Sequence, residues 1–122
     1  MITGIGIDIV EIKRFDGVSQ NLIKKIFTQN EINYYNIKKK SQTLAGIFAA
    51  KEAVAKSLGH GFNFFSIRDI EILHNKKSAP FIKLYNDALK ISLKLNIKDI
   101  KISISHEKKY AIAFAISQNF FN

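Results

Sequence analysis

Few residues in this chain have the chemistry to act on a substrate, and Asp8, Glu52 and Lys56 stand out by their surroundings. Asp8 interrupts the apolar run Gly4-Ile5-Gly6-Ile7-Asp8-Ile9-Val10. Alternation along Ile2 to Ile12 puts Thr3, Ile5, Ile7, Ile9 and Glu11 on one face of a strand and Gly4, Gly6, Asp8, Val10 and Ile12 on the other. A carboxylate that shares its face with two glycines has open volume beside it, as a strand does where a ligand or another backbone comes close. The alternative is a strand-end aspartate that caps a neighbouring turn. Glu52 and Lys56 lie four apart in the segment Phe48 to Gly59 and therefore stack on one helical face with Phe48. Such a pair is ordinarily a surface ion pair worth a few tenths of a kcal/mol. Here Phe48, one turn before Glu52, sets the glutamate at the edge of the apolar face. His106, between two segments of strand-like alternation, is a fourth candidate, although a hairpin histidine is more often a surface residue.

Several chemistries are excluded. A dinucleotide-binding loop needs a third glycine at position 9, which is Ile9, and a helix directly afterwards, where Glu11 and Lys13 continue extended-looking sequence. No Walker lysine motif, zinc-binding helix or nucleophile elbow is present. The absence of cysteine removes thiolate catalysis, disulfides and sulfur-ligated zinc.

The elements that must position these residues follow from periodicity. Thr28 to Glu31 fits a capping box that opens a short helix. The lysines 38–40 mark a solvated connection, and Ser41 is expected to cap the next helix. That helix carries Leu44, Ile47, Phe48, Val54, Ala55 and Leu58, with Gly59 as its stop. Ile67 to Leu73 and Phe81 to Tyr85 read as strands around the turn Asn75 to Pro80. Asn86 is expected to cap a helix bearing Ala88, Leu89, Leu93 and Leu95. Two further strands, around Ile100 to Ile104 and Tyr110 to Ile116, are joined by His106 to Lys109. The result is a single α+β domain over residues 1–122, with a mostly antiparallel sheet packed against one long helix.

Nineteen Lys+Arg against ten Asp+Glu give a formal charge of +9, so an anionic partner is expected. Nucleic acid, acidic protein and phosphorylated small molecule all qualify. No apolar run approaches the ~20 residues of a membrane helix, and no charged leader with an apolar core is present; a cytoplasmic location is expected.

Taken together, "GIGIDIVEI" (Gly4 to Ile12) and "FAAKEAVAKSLGHG" (Phe48 to Gly61) resemble the holo-acyl-carrier-protein synthases, the small branch of the 4'-phosphopantetheinyl transferases. Ser78-Ala79-Pro80 is similar to that family's Gly-x-Pro turn, and "SISHEKKYAIAFAI" (Ser103 to Ile116) to its closing Ser-x-Ser-His hairpin. The resemblance spans essentially the whole chain. It implies transfer of the phosphopantetheine arm of coenzyme A to a serine of apo-acyl carrier protein, with release of adenosine 3',5'-bisphosphate.

By the same resemblance Asp8 and Glu52 hold a divalent cation, expected to be Mg2+. Glu52 and Lys56 are then the catalytic pair, and Gly59, Gly61, Pro80, Ser105 and His106 line the coenzyme. The glycines beside Asp8 are expected to make room for phosphates. Lys13, Arg14, Lys24 and Lys25 form the basic face expected to meet the acidic carrier, Arg14 being the family-matched member. A homotrimer with sites between subunits is also implied. The chain departs from the family at His60, where a small hydroxylic residue is common, and at Ile47, where many members carry an arginine. The main rival, a small basic nucleic-acid-binding domain, leaves Asp8 and Glu52 without a role. A noncatalytic scaffold subunit would predict no metal dependence. The transferase reading expects no nucleic-acid or membrane partner.

Overall fold

The computed structural model describes residues 1–120. Strand β1 (Ile2–Glu11) pairs antiparallel with β5 (Tyr110–Gln118), which pairs antiparallel with β4 (Asp99–His106), giving a three-stranded sheet in the order β1-β5-β4. A separate antiparallel hairpin joins β2 (Ile70–His74) to β3 (Pro80–Leu84). The helices are α1 (Gln20–Ile26), α2 (Gln29–Lys38), α3 (Ser41–Ser57) and α4 (Asn86–Lys94). This is the expected α+β architecture, with its sheet divided in two.

The long α3 lies across one face of the three-stranded sheet, and small side chains let it sit close. Ala49, Ala50 and Ala53 on the helix and Ala111, Ala113 and Ala115 on β5 are all buried. The two glycines of β1 take this to its limit. A Cβ on Gly4 would run into the carbonyl of Ser57, and one on Gly6 into the carbonyl of Ala53 and the Lys56 Cβ. Their side-chain-free face is therefore filled by the backbone of α3, which corrects the expectation that these glycines make room for phosphates. The alternation itself is as expected: Val10 is buried on this face while Ile5, Ile7 and Ile9 point outward and are exposed.

Four local expectations change. The segment read as a strand from Ile67 opens with a 3-10 turn at Ile67–Asp69, capped by Ser66, so β2 begins only at Ile70. The chain leaves β1 through a 3-10 turn at Ile12–Phe15 instead of continuing extended, because Phe15 turns inward to pack on Phe27 and Phe48, with ring centroids 6.1 and 5.6 Å away. Helix α1, capped by the Ser19 hydroxyl accepting from the Leu22 N–H, was not legible because its seven residues bury only Ile23. Ser41 and Asn86 do not act as caps. The N-cap positions belong to Lys40 and Tyr85, neither with a side-chain bond, and Asn86 sits at φ 49° with its amide donating to Asp69. The Thr28–Glu31 capping box is present, and Gly59, at φ 75°, follows the C-cap Leu58 as the stop of α3.

One internal ion pair fastens α3. Lys51 and Glu31 are fully buried with Nζ and Oε1 2.7 Å apart, and Lys51 also donates to the carbonyls of Ile26 and Ile67. Glu31 in turn accepts from the backbone of Thr28 and Ile72. The pair ties α1, α2, α3 and β2 together, and its hydrogen bonds satisfy charges that would otherwise be costly to bury. No helix among the described residues is long and apolar enough to cross a membrane.

Candidate active site

The close seating of α3 on β1 brings Asp8 and the last turns of the helix into one site. Lys56 Nζ donates to the carbonyl of Ile7 at 2.8 Å and lies 3.3 Å from Asp8 Oδ1. The lysine thus pairs across to the strand aspartate, and the expected ion pair along the helix with Glu52 does not form. Glu52 is half-buried. Burial raises its pKa above the usual carboxylate range, and the negative charge of Asp8 adds to the rise, while Lys56 and Arg14 oppose it. Arg14 reaches this edge from the 3-10 turn, its guanidinium 5.6 Å from the centre of the Phe48 ring.

The result is two like-charged carboxylates held near one another, with two cations beside them. That arrangement costs free energy unless something positive sits between the acids. Among the described residues no group of three or more His, Cys, Asp or Glu gathers as a metal cluster. Two hard carboxylates suit Mg2+ all the same, because that ion keeps waters and phosphate oxygens in its remaining positions.

The other residues singled out from the sequence divide between places. Pro80 and His106 line a cavity of about 210 Å3 beside Ile47 and Ser78. Gly59 borders a separate hollow with Lys56 and His60, and Gly61 faces open space. Ser105 is exposed on the outer face of the sheet, opposite Ile112, because adjacent strand residues alternate in direction. Within one chain, then, Ser105 does not join His106. Lys13 lies in a hollow with Lys108 and Lys109, and Lys24 and Lys25 occupy the last turn of α1; all are exposed.

Sequence reasoning missed Lys51, whose helical spacing from Ile47, Val54 and Ala55 on the apolar stripe was the available signal, and the stacked pair Tyr34 and His74. The stack forms between α2 and β2, segments whose meeting no local pattern announces.

The sequence profile of the 4'-phosphopantetheinyl transferase superfamily matches residues 4–115. The chain belongs to that superfamily. It is 48% identical over 118 residues to the holo-[acyl-carrier-protein] synthase of Thermoanaerobacter sp. (strain X514), covering 93% of this chain and 85% of the relative. It is 46% identical over 121 residues to the synthase of Caldicellulosiruptor bescii, covering 97% and 99%. Among solved structures, the Helicobacter pylori holo-[acyl-carrier-protein] synthase in complex with coenzyme A superimposes with a TM-score of 0.82 at 34% identity, covering 93% of this chain and 99% of that one. Superfamily membership gives the Asp8–Glu52 site its frame of reference.

Proposed function

We propose that the chain transfers the 4'-phosphopantetheine group of coenzyme A to a serine of apo-acyl carrier protein, leaving adenosine 3',5'-bisphosphate. One observation carries the reading. In a member of the 4'-phosphopantetheinyl transferase superfamily, the close contact of α3 with β1 brings Asp8, Glu52 and Lys56 onto one edge.

The serine oxygen attacks the phosphorus that bears the pantetheine arm, and the bond from that phosphorus to the bridging oxygen of the diphosphate breaks. The bridging oxygen departs with the nucleotide. Glu52, directly or through a water that it orients, is the candidate to take the serine proton. Lys56, anchored to the Ile7 carbonyl, stands where it neutralises a phosphate oxygen as charge shifts to the leaving group. Mg2+, when bound, would be held by Asp8 and Glu52 and would supply charge neutralisation at the diphosphate. Pro80 and His106 border the nucleotide end, Gly59 allows close backbone approach near Lys56, and Gly61 leaves open space beyond it for the coenzyme.

Arg14, Lys13, Lys24 and Lys25 face an acidic carrier, steering its encounter more than fixing its final affinity. The outer face of the three-stranded sheet exposes Ile5, Ile7, Ile9 and Phe114 side by side, which supports a homotrimer with sites between subunits and a place for Ser105 at a neighbour's site. Sedimentation analysis tests the trimer. The location is taken as cytoplasmic.

The activity is tested by intact mass of purified apo-acyl carrier protein after incubation with the chain, coenzyme A and Mg2+. A phosphopantetheine-sized gain that a chelator abolishes supports the reading. No gain with several acidic carriers refutes it.

A further inference from the structure

The cavity beside Ile47 contains a polar side chain that the roles above leave unused. His74 ends β2 opposite Pro80, and its ring lies flat on Tyr34, with centroids 3.9 Å apart and planes 2° apart. Its Nδ1 is covered and has no hydrogen-bond partner. Burial lowers the pKa of the ring and the nearby Lys38 lowers it further, so the imidazole is neutral at pH 7. A neutral imidazole carries one proton. Placing it on a covered nitrogen that lacks an acceptor costs more than leaving a covered lone pair unmet. The proton therefore sits on Nε2, leaving one open N–H donor on a residue that lines the cavity.

Around it stand the hydroxyls of Thr43 and Ser78 and the imidazole of His106, and among the described residues no carboxylate lines the cavity. The ammonium of Lys38 lies 5.5 Å from the centre of the Tyr34 ring, on the rim of the stack. Ile47, almost fully buried, forms an uncharged part of the wall. Neutral donors, an apolar wall and a cation beside the Tyr34–His74 stack suit a phosphoryl group carried on a nucleoside.

We propose that His74, assisted by Lys38, is the residue of this chain that recognises the 3'-phosphate of coenzyme A, in a cavity whose wall at Ile47 carries no charge. The inference rests on the transferase reading, in which the nucleotide lies by Pro80 and His106. Coenzyme A has one phosphoryl group outside its diphosphate, and it sits on that nucleotide. With the diphosphate at Asp8 and Glu52 of the same chain or of a neighbour in the trimer, the 3'-phosphate is the phosphoryl group free to enter this cavity.

The test is calorimetric binding of adenosine 3',5'-bisphosphate and of adenosine 5'-monophosphate to the full chain, as wild type, His74→Phe, His74→Gln and Lys38→Met. Phenylalanine keeps the ring stacked on Tyr34 and removes the N–H, whereas glutamine restores an N–H donor. The wild type binds the bisphosphate about tenfold or more tightly than the monophosphate, as one hydrogen bond to a charged group warrants. His74→Phe abolishes that preference without changing affinity for the monophosphate, His74→Gln recovers part of it, and Lys38→Met weakens it about two- to threefold. If His74→Phe melts well below wild type, the Gln variant against wild type decides the same comparison. Equal wild-type affinity for both nucleotides, no detectable binding of either, or equal weakening of both by His74→Phe overturns the inference. Transfer from coenzyme A by the same preparation then shows whether the transferase reading survives or falls with it.

Discussion

Replacing Gly6 with alanine perturbs the one contact on which the site depends. The added Cβ would lie 2.9 Å from both the Ala53 carbonyl carbon and the Lys56 Cβ, with the Ala53 carbonyl oxygen closer still. Carbon atoms settle about 3.5–4.0 Å apart, so clearing the carbons alone takes roughly 0.6 Å, and clearing the oxygen takes the shift to the order of 1 Å. Because the obstacle is helix backbone, no rotamer change relieves it, and α3 must lift off β1 or β1 must bend. Overpacking of this kind costs about 3 kcal/mol, a large part of the 5–15 kcal/mol typical of a domain, and lowers Tm by roughly 10–15 °C. The same lift separates Glu52 and Lys56 from Asp8, and a misplacement of about 1 Å reduces kcat/KM by about 10²-fold. Urea unfolding and carrier-transfer rates measure the two effects. Gly61→Ala is the control: its Cβ meets nothing within 4 Å, so stability stays within about 0.5 kcal/mol of wild type. A Gly6→Ala protein as stable and as active as wild type would refute the argument that these glycines exist to seat the helix.

Lys51→Met leaves the Glu31 carboxylate buried without its cation and should cost about 3–5 kcal/mol in urea unfolding. Ser78 sits at φ 62°, a conformation that glycine adopts without strain, so Ser78→Gly should gain about 1 kcal/mol in thermal unfolding. Glu52 has a folded-state pKa raised by burial and by Asp8, so the folded state holds its proton more tightly than the unfolded chain does. In chelator its contribution therefore diminishes stability as pH rises from the ordinary carboxylate range through the raised value. Glu52→Gln should remove that decline and so gain stability at pH 7 while abolishing transfer; urea unfolding from pH 4 to 8 reads it.

Strong periodicity made much of the fold legible. The β1 alternation, the α3 stripe, the Thr28 capping box and the two hairpins each announce themselves within a dozen residues. What the sequence concealed was decided by tertiary contact. The role of Gly4 and Gly6 depends on α3 crossing β1, about fifty residues away in the chain. Helix α1 is too short to show a period, and the 3-10 turn forms because Phe15 finds Phe27 and Phe48. The acidic pair was visible as residue types, but the pairing of Lys56 with Asp8 instead of Glu52 required the helix to be seated on the strand. Ser105 and His106 are neighbours in one sequence motif, yet the alternation of β4 sends them to opposite faces.

The central claim is that Asp8 and Glu52 form one cation site serving the coenzyme diphosphate. Electron paramagnetic resonance of Mn2+ titrated into the chain with coenzyme A present tests it most directly, comparing wild type with Asp8→Asn and Glu52→Gln. The account predicts that wild type binds one Mn2+ per chain, more tightly with coenzyme A than without, and that either substitution removes both the site and the coupling. Unchanged Mn2+ binding in both variants would contradict it.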